Sequence, residues 1–515
     1  MQGLLGVAAL VAVPAASGGA PPQADTAVEA PVEAVTLAGL RAELQELLRP
    51  SAGDTSRWSI LAVSLDRGDT LLASSPGQAL APASNMKLFT TAAALEHLGP
   101  HYRYATYLVS DGPVADGVLR GDLYLYGTGD PTLGKRFAPA PAPPLRALAD
   151  SLAALGIREV DGDLIGDGSY FAGTGTPEGW PEDDMNAWYA APSGALSVHE
   201  NLVRIEVEPG PAGAPRLEFV PAGQGLPVRI EGGTGASVRR DAYGGPIVAR
   251  VASGASGSGA VPVDDAALYA ASVMRTALRE AGIVLRGGVG AVEEPAGSPI
   301  TRRVVTAPAF QQEGRPLRVL AVHVSEPLSE MLRVVNHRSH NFYAEQVLRT
   351  VGREAGGDGS IASGAAAVEA LLARAGVDTA GVRVVDGCGL SPLNRVSAGA
   401  FVRLRAYMAD SRHAAAFEET LPVAGEVRRF RRMGGTPAEG NLQAKTGTIE
   451  DVSALSGYVT AANGERIAFS IIANGLRSVS RAKLVENEIG AMLAGLQRGG
   501  AAGEPVVAAD RAGGR

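Results

Sequence analysis

The sequence predicts a multidomain α/β protein in which a β-rich insertion divides one domain into two parts. Hydrophobic residues make up 46% of the 515 residues, which is enough to bury a sizeable core. Helical and strand-like patterns occupy both ends of the chain, whereas residues 105–310 change to short strands and many glycine pairs. The length alone allows about three domains, at roughly 100–200 residues each.

The first 36 residues are predicted to be a leader and a linker. Residues 3–13 are apolar, and Ala15, Ala16 and Ser17 follow them, a pattern typical of a secretory signal. The basic segment that usually precedes such a run is missing, because the first basic residue is Arg41. The apolar run is too short to cross a bilayer, which takes about 20 residues. We therefore expect no transmembrane span and export to the periplasm or another extracytoplasmic space.

The elements after the linker follow from periodicity and from turn residues. Apolar spacing predicts an amphipathic helix at 37–48, and alternation on either side of residues 67–69 predicts a β-hairpin at 57–66 and 70–73. A helix is expected at 84–98, between Pro82 and Gly99. The remaining predicted elements are helices at 144–155, 264–281, 328–351, 361–375 and 480–496 and strands at 442–446, 452–459 and 467–473. Residues 498–515 are rich in glycine and alanine and are expected to be disordered.

Composition excludes several classes of function. The formal net charge of −8 argues against a nucleic-acid partner, which would require a basic surface. Cys388 is the only cysteine, so neither an intrachain disulfide framework nor a cysteine-based zinc site is expected. The seven histidines lack His-Glu-x-x-His spacing. We predict no metal and no cofactor.

Ser84-Asn-Met-Lys87 is a Ser-x-x-Lys motif at the start of a predicted helix. One turn of helix places both side chains on the same face, where a desolvated lysine can take the serine proton. Lysine is rare here: among 46 basic residues the only lysines are Lys87, Lys135, Lys445 and Lys483. Ser480-Arg-Ala-Lys483 has the same spacing, but it follows the other motifs and is interpreted as a solvated helix face.

Two further motifs carry candidate residues. Ser339-His340-Asn341 is the only Ser-x-Asn in the chain and offers a second serine and an amide, although a polar helix face is the alternative. Lys445-Thr446-Gly447-Thr448 lies on a predicted strand, where a cation, hydroxyls and a glycine suit an extended peptide with a carboxylate. A polar edge strand is the alternative there.

Taken in this order, the three motifs form the set found in serine β-lactamases and penicillin-binding proteins. From about residue 38 to 495 the chain resembles the D-alanyl-D-alanine carboxypeptidase/endopeptidases of the class C low-molecular-mass penicillin-binding proteins. Besides the motifs, the segments that carry the resemblance are 129–133, 179–184, 195–201, 339–346, 386–391 and 421–425. A long insertion between the first two motifs is a further hallmark of that family.

The resemblance implies a fold and a domain organisation. It implies a transpeptidase domain like that of serine β-lactamases and DD-peptidases, with an antiparallel sheet flanked by helices. We expect this domain at 37–105 and 310–497, an inserted domain II at 106–135 and 220–309, and an inserted domain III at 136–219. The activity implied is a serine peptidase that acts on peptidoglycan stem peptides and is inhibited by β-lactams, with no cofactor.

The resemblance also implies roles for individual residues. Ser84 would be the acylated nucleophile, and Lys87 would be its general base. Ser339 would pass a proton to the leaving D-alanine, while Asn341 would hold the amide of the peptide or lactam. Lys445, Thr446 and Thr448, with Gly447 between them, would receive the terminal carboxylate, and the N–H groups of Ser84 and Thr448 would form an oxyanion hole. Asp183 would bind the free amino end of the stem peptide.

The chain departs from the family pattern at three positions. His340 replaces the usual aspartate or asparagine, and its side chain is expected to point away from its neighbours. Cys388 replaces a serine and is interpreted as a small buried residue, and Pro392 stands where a basic residue is common. The alternatives are a β-lactamase, a non-catalytic peptidoglycan-binding scaffold and a Ser-His-Asp hydrolase. The sequence leaves open the balance of carboxypeptidase and endopeptidase activity and the oligomeric state.

Overall fold

The computed structural model describes residues 35–49, 54–137, 144–221, 227–242, 244–300, 309–312, 315–425 and 430–499. The predicted leader at 1–34 and residues 500–515 of the predicted tail lie outside this part of the chain. Arg498, at the first position of that tail, is ion-paired with Asp69 at 2.6 Å and with Glu465. Across the described ranges, no helix combines the length and the apolar character that crossing a membrane demands.

Ten α-helices lie in the described residues, and side chains cap several of them. Thr36, Asp265, Ser360, Ser397 and Ser478 each accept a hydrogen bond from the first turn of the helix that follows. The helices are α1 Leu37–Leu47, α2 Lys87–Leu98, α3 Pro144–Ala154, α4 Ala266–Glu280, α5 Leu328–His337, α6 Asn341–Glu354, α7 Ile361–Arg374, α8 Ala398–Ala409, α9 Ala414–Glu418 and α10 Val479–Ala494.

Twenty-one strands lie in the described residues, and they range from two to ten residues in length. They are β1 Arg57–Ser64, β2 Thr70–Ser74, β3 Ala105–Ser110, β4 Val114–Ala115, β5 Val118–Leu119, β6 Leu123–Gly127, β7 Glu159–Val160, β8 Leu164–Asp167, β9 Leu202–Pro209, β10 Pro215–Val220, β11 Val228–Gly232, β12 Ala236–Arg240, β13 Ile247–Val251, β14 Gly257–Pro262, β15 Val284–Leu285, β16 Val289–Val292, β17 Ala309–Gln312, β18 Arg315–Val324, β19 Gln443–Ile449, β20 Val452–Thr460 and β21 Arg466–Asn474.

A five-stranded antiparallel sheet joins the two ends of the chain in the order β19-β20-β21-β1-β2. Alternate residues of its central strands point to opposite faces, and both faces are buried. Leu455 packs in the cluster that contains Leu40 of α1 and Ile489 of α10. The neighbouring Ala454 packs in the cluster that contains Phe89 of α2 and Phe401 of α8. The predicted fold class, an antiparallel sheet flanked by helices with a β-rich insertion, is confirmed.

The strands between the two ends form four further sheets. A six-stranded sheet has the order β16-β8-β6-β3-β18-β17, and the others are β15-β7-β5-β4, β10-β9-β14 and β11-β13-β12. Helices α3 and α4 supply Leu148 and Met274 to the core beneath these sheets. The six-stranded sheet combines strands from the ranges predicted for domain II, domain III and the transpeptidase domain. The predicted domain boundaries therefore stay a prediction.

The helix predicted at 328–351 is wrong in one respect, because two helices occupy that segment. α5 ends at His337 and α6 begins at Asn341, and Ser339 between them has φ of 53°. A left-handed residue cannot continue a right-handed helix, so the chain breaks there. The predicted helix at 84–98 likewise starts as a 3₁₀ turn, Ala83–Met86. Helices α8 and α9 were not anticipated from the sequence.

Candidate active site

Ser84 lies in the 3₁₀ turn that leads into α2. The turn begins with Ala83 at φ of 46°, a left-handed conformation that is unfavourable for a residue with a side chain. Ala83 and Met86 are buried, which holds this turn in place, while Ser84 itself is half-buried. One helical turn then brings the Nζ atom of Lys87 to 2.9 Å from the Ser84 Oγ atom. The predicted proximity of these two side chains is present.

Lys87 is fully buried and donates to three oxygen atoms. Besides Ser84 Oγ, these are Asn341 Oδ1 at 2.8 Å and the carbonyl oxygen of Cys388 at 2.7 Å. Burial lowers the pKa of Lys87, and the nearby Cys388, Asp386 and Glu345 only partly oppose that effect. A lysine with a lowered pKa and a serine hydroxyl within hydrogen-bond distance can act as a base toward that hydroxyl.

Two buried carboxylates hold the loop that supplies the Cys388 carbonyl. Glu345 Oε1 accepts from the N–H groups of Gly387 at 2.9 Å and Cys388 at 2.7 Å. Asp386 accepts from the N–H groups of Gly389 and Ser391, both at 2.7 Å. Gly389 has φ of 82°, and a Cβ atom there would come within 1.8 Å of the Ala83 carbonyl oxygen. The loop is thus fixed against the Ser84 turn.

Burial raises the pKa of Glu345 to about 8, and the neighbouring Asp386 contributes to that rise. The Oε2 atom of Glu345 is buried and has no hydrogen-bond partner within the part of the chain that the structure describes. The ligand atoms of Glu345, Asp386 and Cys388 lie within 4.8 Å of one another, a spacing that a metal ion could use. However, N–H donors already occupy three of the four carboxylate oxygens, and burial raises the pKa of the Cys388 thiol. These residues therefore serve the loop through hydrogen bonds.

The Ser339-His340-Asn341 turn joins α5 to α6. Asn341 is the first residue of α6, and its Nδ2 atom donates to the Tyr189 carbonyl oxygen at 2.9 Å while Oδ1 accepts from Lys87. His340 is buried, and its Nε2 atom lies 3.1 Å from Glu200 Oε2, away from the half-buried Ser339 hydroxyl. The second motif therefore contacts both the first motif and the insertion.

Lys445 lies on β19, the edge strand of the five-stranded sheet. Its Nζ atom donates to Ser339 Oγ at 2.9 Å and to the Thr446 carbonyl oxygen at 2.7 Å. Gly447 faces the Ser84 turn, because an added Cβ atom would lie 2.8 Å from the Pro82 carbonyl oxygen and 3.1 Å from the Ser84 nitrogen. Only glycine allows the strand to approach so closely. Thr446 is half-buried and Thr448 is exposed, so their hydroxyls line the open side of the strand.

Five of the predicted residues thus form one hydrogen-bonded constellation, and one lies apart. Direct hydrogen bonds connect Ser84, Lys87 and Asn341, and Ser339 with Lys445, and Asn341 follows Ser339 by two positions. Asp183 is exposed in a short turn, Glu182–Asp184. Its loop nevertheless contacts the constellation, since Asn341 Nδ2 donates to the Tyr189 carbonyl oxygen at 2.9 Å. The rejected match at Ser480 lies exposed on α10, on the opposite face of the sheet.

The supporting carboxylates were not singled out from the sequence. Glu345 and Asp386 were quoted only as members of segments 339–346 and 386–391, without a role. The sequence carries no clear signal for Glu345, because polar residues such as Gln346 and Arg349 stand near it in α6. Only the folded structure shows that the helix is buried from Asn341 to Gly352. An acidic residue in such a helix must find buried donors.

Comparison with known proteins finds matches over most of the chain. A model of the D-Ala-D-Ala carboxypeptidase 3 (S13) family matches residues 40–496. A D-alanyl-D-alanine carboxypeptidase of Actinomadura sp. (strain R39) is 35% identical over 464 residues, covering 85% of this chain and 81% of the relative. The D-alanyl-D-alanine carboxypeptidase DacB of Haemophilus influenzae is 28% identical over 436 residues, or 79% of this chain and 84% of the relative.

A solved structure resembles the fold over nearly its whole length. The crystal structure of penicillin binding protein 4 (dacB) from Haemophilus influenzae matches with a TM-score of 0.71 and 24% identity. The match covers 87% of this chain and 99% of that structure. This chain therefore shares the arrangement of its sheet, helices and insertion with that solved structure.

Proposed function

The chain belongs to the D-Ala-D-Ala carboxypeptidase 3 (S13) family, and on that premise we propose that it hydrolyses the terminal peptide bond of D-Ala-D-Ala stem peptides through an acyl-enzyme on Ser84. The observation that carries this proposal is the contact of Lys87 Nζ with Ser84 Oγ at 2.9 Å, inside a hydrogen-bonded constellation of three motifs. β-Lactams would block the enzyme by acylating the same serine.

Acylation begins at the Ser84 hydroxyl. Lys87, in its neutral form, takes the Oγ proton while Oγ attacks the carbonyl carbon of the penultimate D-alanine. The lowered pKa of Lys87 supports this role, because burial favours the neutral amine. The tetrahedral intermediate carries a negative oxygen, which the N–H groups of Ser84 and Thr448 would receive. Such a donor contributes roughly 3–4 kcal/mol in comparable sites.

The C–N bond then breaks, and the terminal D-alanine leaves as a free amine. Its nitrogen needs one proton, and Ser339 would pass to it the proton that Lys87 took from Ser84, so that both lysines return to their starting charge. Lys445 Nζ holds the Ser339 hydroxyl in place at 2.9 Å. The terminal carboxylate of the substrate would lie against Lys445, Thr446 and Thr448, with the backbone close to Gly447. Water then hydrolyses the ester and frees Ser84, which completes the cycle.

The test compares two serines that share the same local spacing. Ser84→Ala should abolish labelling by a fluorescent penicillin and the release of D-alanine from an N-acylated peptide ending in D-Ala-D-Ala. Ser480→Ala is the matched control and should label like the wild type. Mass spectrometry of the labelled wild type should place one adduct on the peptide that contains Ser84. An adduct on the Ser480 or Cys388 peptide would overturn the proposal.

We also propose that Asp183 binds the free ammonium end of the stem peptide. Its exposure and its place in a loop that contacts Asp386 and Asn341 support this role. A charge-assisted hydrogen bond of this kind contributes about 1.5–3 kcal/mol, or roughly 10- to 150-fold in affinity. Asp183→Ala should lower kcat/KM for amine-bearing peptides by that factor and leave simple penicillins unaffected. Glu182→Ala is the control, and equal effects of the two variants would contradict the assignment.

Export to the space that contains peptidoglycan is part of the same proposal. The apolar residues 3–13 and the small residues after them support it. Expression of the full chain fused at its C-terminus to alkaline phosphatase should give phosphatase activity only outside the cytoplasm. Activity that is lost when residues 1–20 are deleted would support the role of this leader, and activity that is unchanged would contradict it.

A further inference from the structure

Glu200 is an acidic residue of the insertion that contacts the second motif directly. Its Oε2 atom lies 3.1 Å from Nε2 of His340, the residue between Ser339 and Asn341. The two residues are 140 positions apart in sequence. His340 is buried, with 4% of its surface exposed, so its imidazole cannot use water in place of this carboxylate.

The protonation state of the imidazole follows from its partners. Nδ1 of His340 is buried and makes no hydrogen bond with the described residues, so it suits an unprotonated nitrogen. Nε2 then carries the proton and donates it to Glu200. Burial lowers the pKa of His340, which favours the same neutral form. Burial would raise the pKa of Glu200, but hydrogen bonds from His340 and Arg136 outweigh it and lower that pKa to about 2.

The backbone that presents Glu200 is strained and firmly held. His199, Glu200 and Asn201 have φ of 52°, 61° and 52°, three consecutive left-handed residues with side chains. Such conformations persist only where the surroundings enforce them, and they concentrate at functional sites. Asn201 is fully buried and donates to the Pro192 carbonyl oxygen at 2.8 Å and to Ser197 Oγ at 2.9 Å.

The carboxylate is fixed from its other side as well. Nε of Arg136 donates to Glu200 Oε1 at 2.6 Å, and the Tyr343 hydroxyl donates to the same oxygen at 3.4 Å, so Oε1 and Oε2 have different partners. The ring of His340 is also flanked by Tyr343 and Trp188, at centroid distances of 4.9 and 5.8 Å. The imidazole is therefore held in one orientation by the carboxylate and two aromatic rings.

We propose that Glu200 is a positioning residue that holds the Ser339-His340-Asn341 turn in its reactive geometry through the His340 imidazole. Ser339 is itself left-handed, with φ of 53°, so the turn has no regular helix or strand to maintain it. Rotation of the His340 side chain would move its two neighbours: the Ser339 hydroxyl, which contacts Lys445, and the Asn341 amide, which contacts Lys87. The inference rests on the proposed function, because it concerns the same acylation step.

The test measures acylation by a fluorescent penicillin in stopped flow, which separates the acylation rate constant from the dissociation constant of the non-covalent complex. Glu200→Ala should lower the rate constant about 10- to 100-fold, as a misplaced catalytic group does, and leave the dissociation constant within about threefold. Glu200→Gln keeps an acceptor for Nε2–H and should recover most of the rate. Glu159→Ala is the matched control, since Glu159 is also a glutamate of the insertion paired with an arginine, Arg286, at 2.9 Å.

A double variant tests the route of the effect. If Glu200 acts through His340, Glu200→Ala combined with His340→Ala should acylate no more slowly than His340→Ala alone. Should Glu200→Ala fail to fold, Glu200→Asp keeps the charge but shortens the side chain by one methylene, and the same fall in rate is expected. The inference would be overturned by a wild-type rate constant in Glu200→Ala and Glu200→Asp, by a change in the dissociation constant alone, or by an equal loss in Glu159→Ala. Wild-type protein that is not acylated at Ser84 would instead overturn the proposed function.

Discussion

The candidate site contains two serine–lysine pairs with the same separation and different surroundings. In each pair the lysine Nζ atom lies 2.9 Å from the serine Oγ atom, and in each the lysine is buried while the serine is half-buried. Ser84 and Lys87 are one helical turn apart, whereas Ser339 and Lys445 come from a turn and from an edge strand. Distance alone therefore does not distinguish a nucleophile and its base from a second pair.

The two pairs differ in the groups that surround their lysines. Lys87 Nζ also donates to an amide oxygen and to the carbonyl oxygen of Cys388, deep beneath α6 and the loop that Glu345 supports. Lys445 Nζ donates to the carbonyl of the next residue on its own strand, beside the exposed hydroxyl of Thr448. Under the proposed function, the first lysine would exchange a proton with Ser84, and the second would receive the carboxylate of the substrate.

The largest effect should follow from Lys87→Arg. An arginine keeps the positive charge but does not lose its proton in proteins, so it cannot act as a base. The rate of acylation by a fluorescent penicillin should fall about 10²- to 10⁴-fold, as expected for loss of a general base. A fall of less than about tenfold would show that Lys87 supplies only charge, and would erase the distinction between the pairs.

A smaller loss is expected for Lys445→Arg. The guanidinium is a wide, planar fork, and it should crowd a carboxylate pocket beside Gly447. We expect acylation to slow by at least about tenfold, which corresponds to about 1.4 kcal/mol. If the Lys445→Arg variant is acylated by the same penicillin at the wild-type rate, Lys445 acts only as a diffuse positive charge.

The smallest expected effect is a change in how the free energy of unfolding depends on pH, and Glu345 is its source. Its pKa in the folded protein is raised to about 8 from its ordinary value of 4.5, so the folded state binds one more proton than the unfolded state between these values. Stability contributed by this group is therefore present at low pH and is lost as pH rises toward 8, with a slope of at most about 1.4 kcal/mol per pH unit.

Glu345→Gln removes this titration and keeps an acceptor for the N–H groups of Gly387 and Cys388. The free energy of unfolding of the wild type should fall relative to that of the variant between pH 5 and pH 8, as measured by denaturant titration at three pH values. Glu159→Gln provides a control at a half-buried glutamate paired with Arg286, and it should not change the slope over this pH range. If the free energy of unfolding depends on pH in the same way for the wild type and for Glu345→Gln, Glu345 is ionised in the folded protein.

The residues that were predicted correctly are those whose signal is local. The Ser84–Lys87 contact follows from helical spacing, and the hairpin at 57–74 follows from alternation around a turn. The meeting of the three motifs required the family resemblance, because no spacing within the chain indicates that Lys445 lies beside Ser339. Their catalytic roles stay predictions until the variants are measured.

The features that were missed depend on tertiary contacts. The break at Ser339 carries neither glycine nor proline, so the sequence predicts a continuous helix, although residues 336–341 form a polar run. Asn336 of that run is buried and donates to Thr91 and Thr420, which only the folded structure reveals. Glu200 and Glu345 likewise gain their significance from partners that are distant in sequence.

The five-stranded sheet has a consequence for the synthesis of the protein. β1, β2 and the Ser84 turn emerge first from the ribosome, but the strands that complete their sheet and carry Lys445 are made last. At about 5–20 residues per second, roughly 20 to 70 seconds separate the translation of Lys87 from that of Lys445. During this interval Ser84 lacks the edge strand, and for most of it Ser339 has not been made either. A nascent chain is therefore expected to be insensitive to penicillin until its last strands have been added.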